Sequence, residues 1–157
     1  MILEATADDV DELYPLWQEL MQLHQSHSPA FRCKPNHDAI LKAELQTRLR
    51  DKSTQVFVYE LHEEWVGMII ASLRKSPAGF ELTSKGYIAE TVIKPAHRNK
   101  GIGESLFEAA RKWLHDNGAD HIELQVSVKN AKAIKFWEKQ GFSAYTQHMV
   151  LVLNRED

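Results

Sequence analysis

The residue pattern predicts an α/β fold, one mixed sheet with helices on both of its faces. Two β-rich apolar runs, 55–61 and 66–73, follow one another across a short polar break, as the arms of a hairpin do. From Tyr87 onward, strand-like and helix-like runs alternate, an order that gives a sheet helical cover on both sides. No repeat, low-complexity tract or linker interrupts the 157 residues, so 1–157 reads as a single domain.

The elements follow in order. Residues 1–5 are short and partly apolar. Thr6-Ala7-Asp8-Asp9 is a cap with an acid three residues on, and it opens a helix whose Val10, Leu13, Tyr14, Trp17, Leu20 and Met21 recur at three- and four-residue steps. Pro15 is expected to bend or divide that helix. Residues 26–35, with Pro29 and Pro35, read as a loop, and a second helix from about Asn36 carries Ile40, Leu41, Leu45 and Leu49 on one side. The hairpin of 55–61 and 66–73 turns at His62-Glu63-Glu64-Trp65. Ser76-Pro77-Ala78-Gly79 breaks the pattern before a strand over 87–93. A helix over 104–117 sets Leu106, Ala110, Trp113 and Leu114 inward and stops at Asn117-Gly118. A strand over 121–128, a short helix over 130–140 closed by Gly141, and a last strand over 148–153 complete the order.

The most informative stretch is Arg98-Asn99-Lys100-Gly101-Ile102-Gly103, a basic, glycine-bearing turn between a strand and an amphipathic helix. The first amides of a helix lack intrahelical partners and carry the positive end of its dipole, so they suit phosphate groups. Gly101 and Gly103 remove side chains that would hold a diphosphate away. A nucleotide P-loop needs Gly-Lys-Ser/Thr after four spacer residues, and a dinucleotide fingerprint needs glycine where Leu106 stands, so neither pattern is met.

Arg-x-x-Gly-x-Gly after a strand, followed by Asn130, Ala133, Phe136 and Gly141-Phe142, resembles the GNAT superfamily of acetyl-CoA-dependent N-acetyltransferases. The resemblance implies a mostly antiparallel sheet in which two parallel strands, here 87–93 and 121–128, splay apart to admit a pantetheine arm. It implies acetyl-CoA as cosubstrate, its diphosphate held by Arg98, Asn99, Lys100, Gly101, Ile102 and Gly103. It also implies a backbone donor for the thioester oxygen near Val92 or Ile93, and pantetheine contacts at Asn130, Phe136 and Trp137. Asn130 is equally an N-cap for the helix after it.

An alkyl ammonium is protonated at neutral pH, and freeing the amine costs on the order of 4 to 5 kcal/mol, so amine acylation asks for a base. Glu90 is the sole carboxylate inside the strand over 87–93. Alternation puts it on one face with Ile88 and Val92, apolar neighbours that suit a base, although a structural ion pair explains such a residue equally well. The family often carries a tyrosine where Trp137 stands, as the acid that protonates the leaving thiolate. An indole N–H is no usable acid, and Tyr145 and His148 are the other proton sources nearby in sequence.

Composition narrows the rest. A net charge of -3 without a long basic run argues against a nucleic-acid partner. Residues 1–31 hold six acids and no Lys or Arg, which suits a cationic acceptor and equally a helix dipole. A lone Cys33 fits a reducing compartment, the longest apolar run is too short for a bilayer, and the start lacks a secretion signal, so a cytoplasmic protein without membrane association is expected. His24, His27 and His37 lack a metal-ligand pattern, and no metal is expected. Trp17, His24 and Phe31 are candidate acceptor contacts, Trp17 also reading as core. The expected function is direct acetyl transfer from acetyl-CoA to a primary amine of a small molecule or peptide, with a non-catalytic acyl-CoA sensor as the alternative. A homodimer stays open.

Overall fold

The computed structural model describes residues 1–27 and 37–153, with the side chains of His24, Gln25 and His27 left out. Nine strands and α-helices follow in order among the described residues. They are β1 (Ile2–Ala5), α1 (Val10–His27), α2 (Asp38–Arg50), β2 (Thr54–Leu61), β3 (Glu64–Lys75), β4 (Ser84–Ile93), α3 (Ile102–Asp116), β5 (His121–Leu124) and α4 (Ala131–Lys139). The sheet order is β1-β2-β3-β4-β5, antiparallel throughout except for the parallel pair β4–β5. The mixed, mostly antiparallel sheet is therefore as expected.

Two apolar layers sandwich the sheet. Leu13, Leu16, Trp17 and Leu20 of α1 and Leu45 of α2 bury against Val56, Val58, Met68 and Ile70. On the other face, Leu106, Phe107, Ala110 and Leu114 of α3 and Trp137 of α4 bury against Val66, Ile69, Ala71 and Ile88. Trp113, assigned inward by periodicity, is only partly buried at the margin of that layer.

The capping motif is present. The Thr6 amide donates to Asp9 Oδ2 at 2.8 Å, and the Asp8 amide donates to Thr6 Oγ1 at 3.4 Å. Pro15 does not divide α1, which runs unbroken through it. Pro15 is exposed, while buried Leu13, Tyr14, Leu16 and Trp17 hold the turns on either side. The hairpin turn is tighter than expected. Leu61 pairs with Glu64, leaving His62 (φ 51°) and Glu63 (φ 64°) as a two-residue turn with both residues left-handed, the twist that suits a hairpin.

Two expectations at the C-terminal end are corrected. β5 stops at Leu124 rather than continuing to 128, and residues 148–153 form no strand. Residues 143–153 have no regular structure and are exposed. The expected loop over 26–35 lies mostly outside the described residues, as do Phe31 and the side chain of His24, while Ser26 and His27 belong to α1.

Candidate functional site

The site is organised by β4. In its ladder with β3, Ile70 faces Glu90 and Ala71 faces Ile88, so Ala89 is an extra residue, a β-bulge. Simple alternation assigned Ile88, Glu90 and Val92 to one face, and the bulge corrects this. Ile88 packs in the α3 layer, whereas Val92 packs in the α1/α2 layer. Glu90, opposite Ile70, stands with Val92.

Glu90 is 12% exposed, and its Oε1 accepts from Arg48 Nη1 of α2 at 3.3 Å. The Arg48 guanidinium in turn lies 5.3 Å from the centroid of the Trp17 ring and 3.8 Å from Glu44. The ion pair that the sequence left open is thus present, and it holds the carboxylate from the helical layer. Arg48 also lines a cavity of about 280 Å³ with Asp51, Ile70, Ser72, Arg74 and Ala89, a lining that does not include Glu90. At its margin Arg74 stacks 3.8 Å from the centroid of the Tyr87 ring, and burial pushes the Tyr87 phenol above its ordinary value. Trp17 is core, as its place on the apolar stripe suggested.

The two parallel strands part company halfway along β4. β5 pairs with Lys85 through Ile88 only, and β4 continues to Ile93. Residues 89–93 therefore have no β5 partner. The Lys94 amide donates to the Val66 carbonyl at 2.8 Å, which phases the antiparallel ladder. By alternation Val92 turns its amide toward β3, while Thr91 and Ile93 turn theirs to the open edge. Of the two positions expected to supply a backbone donor, Ile93 has the right direction.

The basic turn follows directly. Arg98 Nε donates to the Ile93 carbonyl at 3.0 Å, tying the turn to the end of β4. Asn99 (φ 62°) and Gly101 (φ 79°) are left-handed, and Gly101 caps α3 with open space where a Cβ would sit. The first α3 amide to find a helical carbonyl is that of Ser105, which donates to Gly101 at 3.1 Å, so the amides of 102–104 are left for an anion. Gly103 has a different role from Gly101. It is buried, and a Cβ there would lie 3.3 Å from Ile93 Cδ1 and from Phe136 Cε1, so its missing side chain lets α3, β4 and α4 converge. Arg98, Asn99, Lys100 and Gly101 are exposed, Ile102 is buried, and Phe136 borders Gly103.

Asn130 caps α4, its Oδ1 accepting from the Ala133 amide at 3.1 Å, which leaves the side-chain amide nitrogen for another partner. Trp137 is 8% exposed and sits in an edge-to-face cluster with Phe107, Phe136 and Phe142 at centroid distances of 5.4, 4.8 and 5.5 Å. Its indole is a packing group of the α3 layer, which the dipeptide motif alone does not reveal. Tyr145 and His148 lie on the exposed segment 143–153. Sequence reading missed Arg48, because only the fold brings α2 over β4. Among the described residues no cluster of three potential metal ligands exists, and no helix is long and apolar enough to cross a membrane.

Residues 17–142 match the family model described as Acetyltransferase (GNAT) family. The chain belongs to the GNAT acetyltransferase family. Among its GNAT relatives, N-alpha-acetyltransferase 30 of Schizosaccharomyces pombe is 31% identical over 101 residues, covering 64% of this chain and 65% of that protein. The uncharacterized N-acetyltransferase YhfO of Bacillus subtilis is 24% identical over 98% of this chain and 96% of its own. Some relatives are much longer, and the chain covers 26% of the B. subtilis YobR protein. Among solved structures, the BH1408 protein of Bacillus halodurans superposes with a TM-score of 0.84 at 25% identity, covering 98% of this chain and 99% of that one. The aminoglycoside N-acetyltransferase AAC(6')-Iy, solved in complex with CoA, shares the GNAT fold at 16% identity, a TM-score of 0.78 and coverage of 99% and 95%.

Proposed function

We propose that this protein transfers an acetyl group from acetyl-CoA directly to a primary amine of a small molecule or peptide, in a ternary complex. One observation carries the reading: a single strand, β4, presents an open backbone edge on one side, a carboxylate on its α1/α2 face and a basic, glycine-bearing turn at its end. When bound, acetyl-CoA supplies an activated thioester carbonyl. The amides of 102–104, with Arg98 and Lys100, suit its diphosphate, and the edge of 89–93 together with Asn130 and Phe136 suits the pantetheine arm.

Glu90 is the base, taking the amine proton directly or through a water from an acceptor bound on the α1/α2 face of β4. The Ile93 amide donates to the carbonyl oxygen as charge builds on it, a fixed donor of a kind worth a few kcal/mol. Burial of Trp137 leaves no acid at the position where the family often has tyrosine. If the thiol resembles cysteine, with a pKa of about 8.5, departure as thiolate at pH 7 costs only about 2 kcal/mol, so the reaction proceeds without one. The relative named N-alpha-acetyltransferase 30 supports an amine acceptor.

The test is release of CoA thiol against a panel of amines. Glu90→Gln is expected to lower kcat by roughly 10²- to 10⁴-fold with CoA affinity unchanged. The buried Trp137 also favours a second reading, a non-catalytic acyl-CoA sensor; tight CoA binding with no amine acetylated would select it.

A further inference from the structure

The cavity between Arg48 and Arg74 has a lining of uneven character. β3 alternates without a break here, so Ser72 and Arg74 face the same side as Ile70, which is buried in the α1/α2 layer. Thr54 of β2 and Tyr87 of β4 stand opposite Ser72. Arg48 and the C-cap Asp51 close the space from α2.

Two of its polar groups lack a match. Ser72 Oγ is buried and has no hydrogen-bond partner among the described residues, a state that costs free energy until a water or ligand meets it. The Arg74 guanidinium stacks on the Tyr87 ring and, among the described residues, has no carboxylate in ion-pair distance, so its in-plane N–H donors are left for a planar anion. The other two charged groups are engaged. Asp51, the one carboxylate of the lining, accepts at Oδ1 from the Ser53 amide at 2.9 Å and from Ser53 Oγ at 2.8 Å. Arg48 meets Glu90 at 3.3 Å and Glu44 at 3.8 Å.

The charges select the ligand. A lone anion would enter a region where Asp51, Glu44 and Glu90 outnumber the two guanidiniums. A molecule with both an amine and a carboxylate brings one group for each sign, the amine for Glu90 and the carboxylate for Arg74 and Ser72, with Arg48 bordering both. We propose that this cavity is a carboxylate subsite and that the acceptor is a small amino-carboxylic acid. The proposal rests on the acetyl-transfer reading for the amine's place at Glu90 and goes beyond it in naming the acceptor's class.

The test assays the protein with acetyl-CoA and the common L-amino acids, β-alanine and 4-aminobutyrate, each beside its primary amide. In the parent at least one acid is expected to exceed its amide in kcat/KM by roughly 10- to 100-fold, and Arg74→Met is expected to remove most of that ratio, with Arg74→Lys intermediate. The change in ratio between parent and variant cancels the difference in amine basicity. A parent that prefers the amides overturns the proposal, and so does an Arg74→Met variant that loses acids and amides equally, the mark of a structural role. Binding is read apart from turnover, by NMR titration of the CoA-bound parent with the same acids, their amides and acetate. Saturable shifts of the Arg74 Nε–Hε signal are expected with the acids and not with the amides or acetate. Such shifts without any acetylation support the subsite and overturn acetyl transfer. No shift at Arg74 with any acid overturns the subsite, and acetylation of the amides then leaves the transfer reading intact.

Discussion

Gly103 and Glu90 show how single positions divide the work of the site. A methyl at Gly103 would sit 3.3 Å from Ile93 and Phe136, where the neighbours must give by a few tenths of an ångström. Gly103→Ala is therefore expected to destabilise the fold by about 1–3 kcal/mol, read from denaturant midpoints, and to weaken CoA binding in titration calorimetry because it shifts the start of α3. Glu90→Gln is expected to act on turnover alone, since its contact is with Arg48 rather than the turn. Asp120 gives the pH dependence. A hydrogen bond with His121, together with those from the Thr83 and Ser84 amides, holds its carboxyl below the ordinary 3.8. A depressed folded-state pKa means stability that is full above about 3.8 and lost as pH falls through the folded value. Asp120→Ala is thus expected to lower the urea midpoint at pH 7, with the gap from the parent closing as pH drops below 3.8.

At the scale of elements, the ends of strands and helices create the chemistry. β4 outlasts β5 by the five residues 89–93, and that difference opens the backbone edge; the bulge at Ala89 then aims Glu90 at the opposite face from Ile88. α4 begins at a real cap, and Asn130→Ala is expected to cost about 1 kcal/mol in denaturant unfolding. CoA affinity read on the same variant separates its two roles, because a cap alone leaves affinity nearly unchanged. Much of this layer was legible. The Thr6 cap, the amphipathic stripes, the hairpin and the Gly101 turn are all local patterns, and local patterns survive folding. The bulge was not legible, since an extra residue in one strand is defined only against its partner. Nor was the arrival of Arg48 from 42 residues away.

Across the whole molecule, the sheet order and its two apolar layers follow from the alternation of periods, and the basic, glycine-bearing turn falls at the end of a strand where a helix begins. The segment 148–153 reads as a strand from its composition and is none in the structure, because a strand is defined by the partner it pairs with, which a local pattern does not specify. Trp137 illustrates the same limit: its motif position suggests the cofactor, and its aromatic neighbours draw it into the core. The central claim is that β4 and the turn after it hold acetyl-CoA. Thermal unfolding with acetyl-CoA, CoA, ATP and NAD at matched concentrations tests it most directly. At 100 times its Kd a ligand adds about 2.7 kcal/mol, or roughly 5 to 10 °C for a domain of this size. The account predicts that shift for acetyl-CoA and CoA and none for NAD or ATP; no shift with either CoA species at millimolar concentration would contradict it.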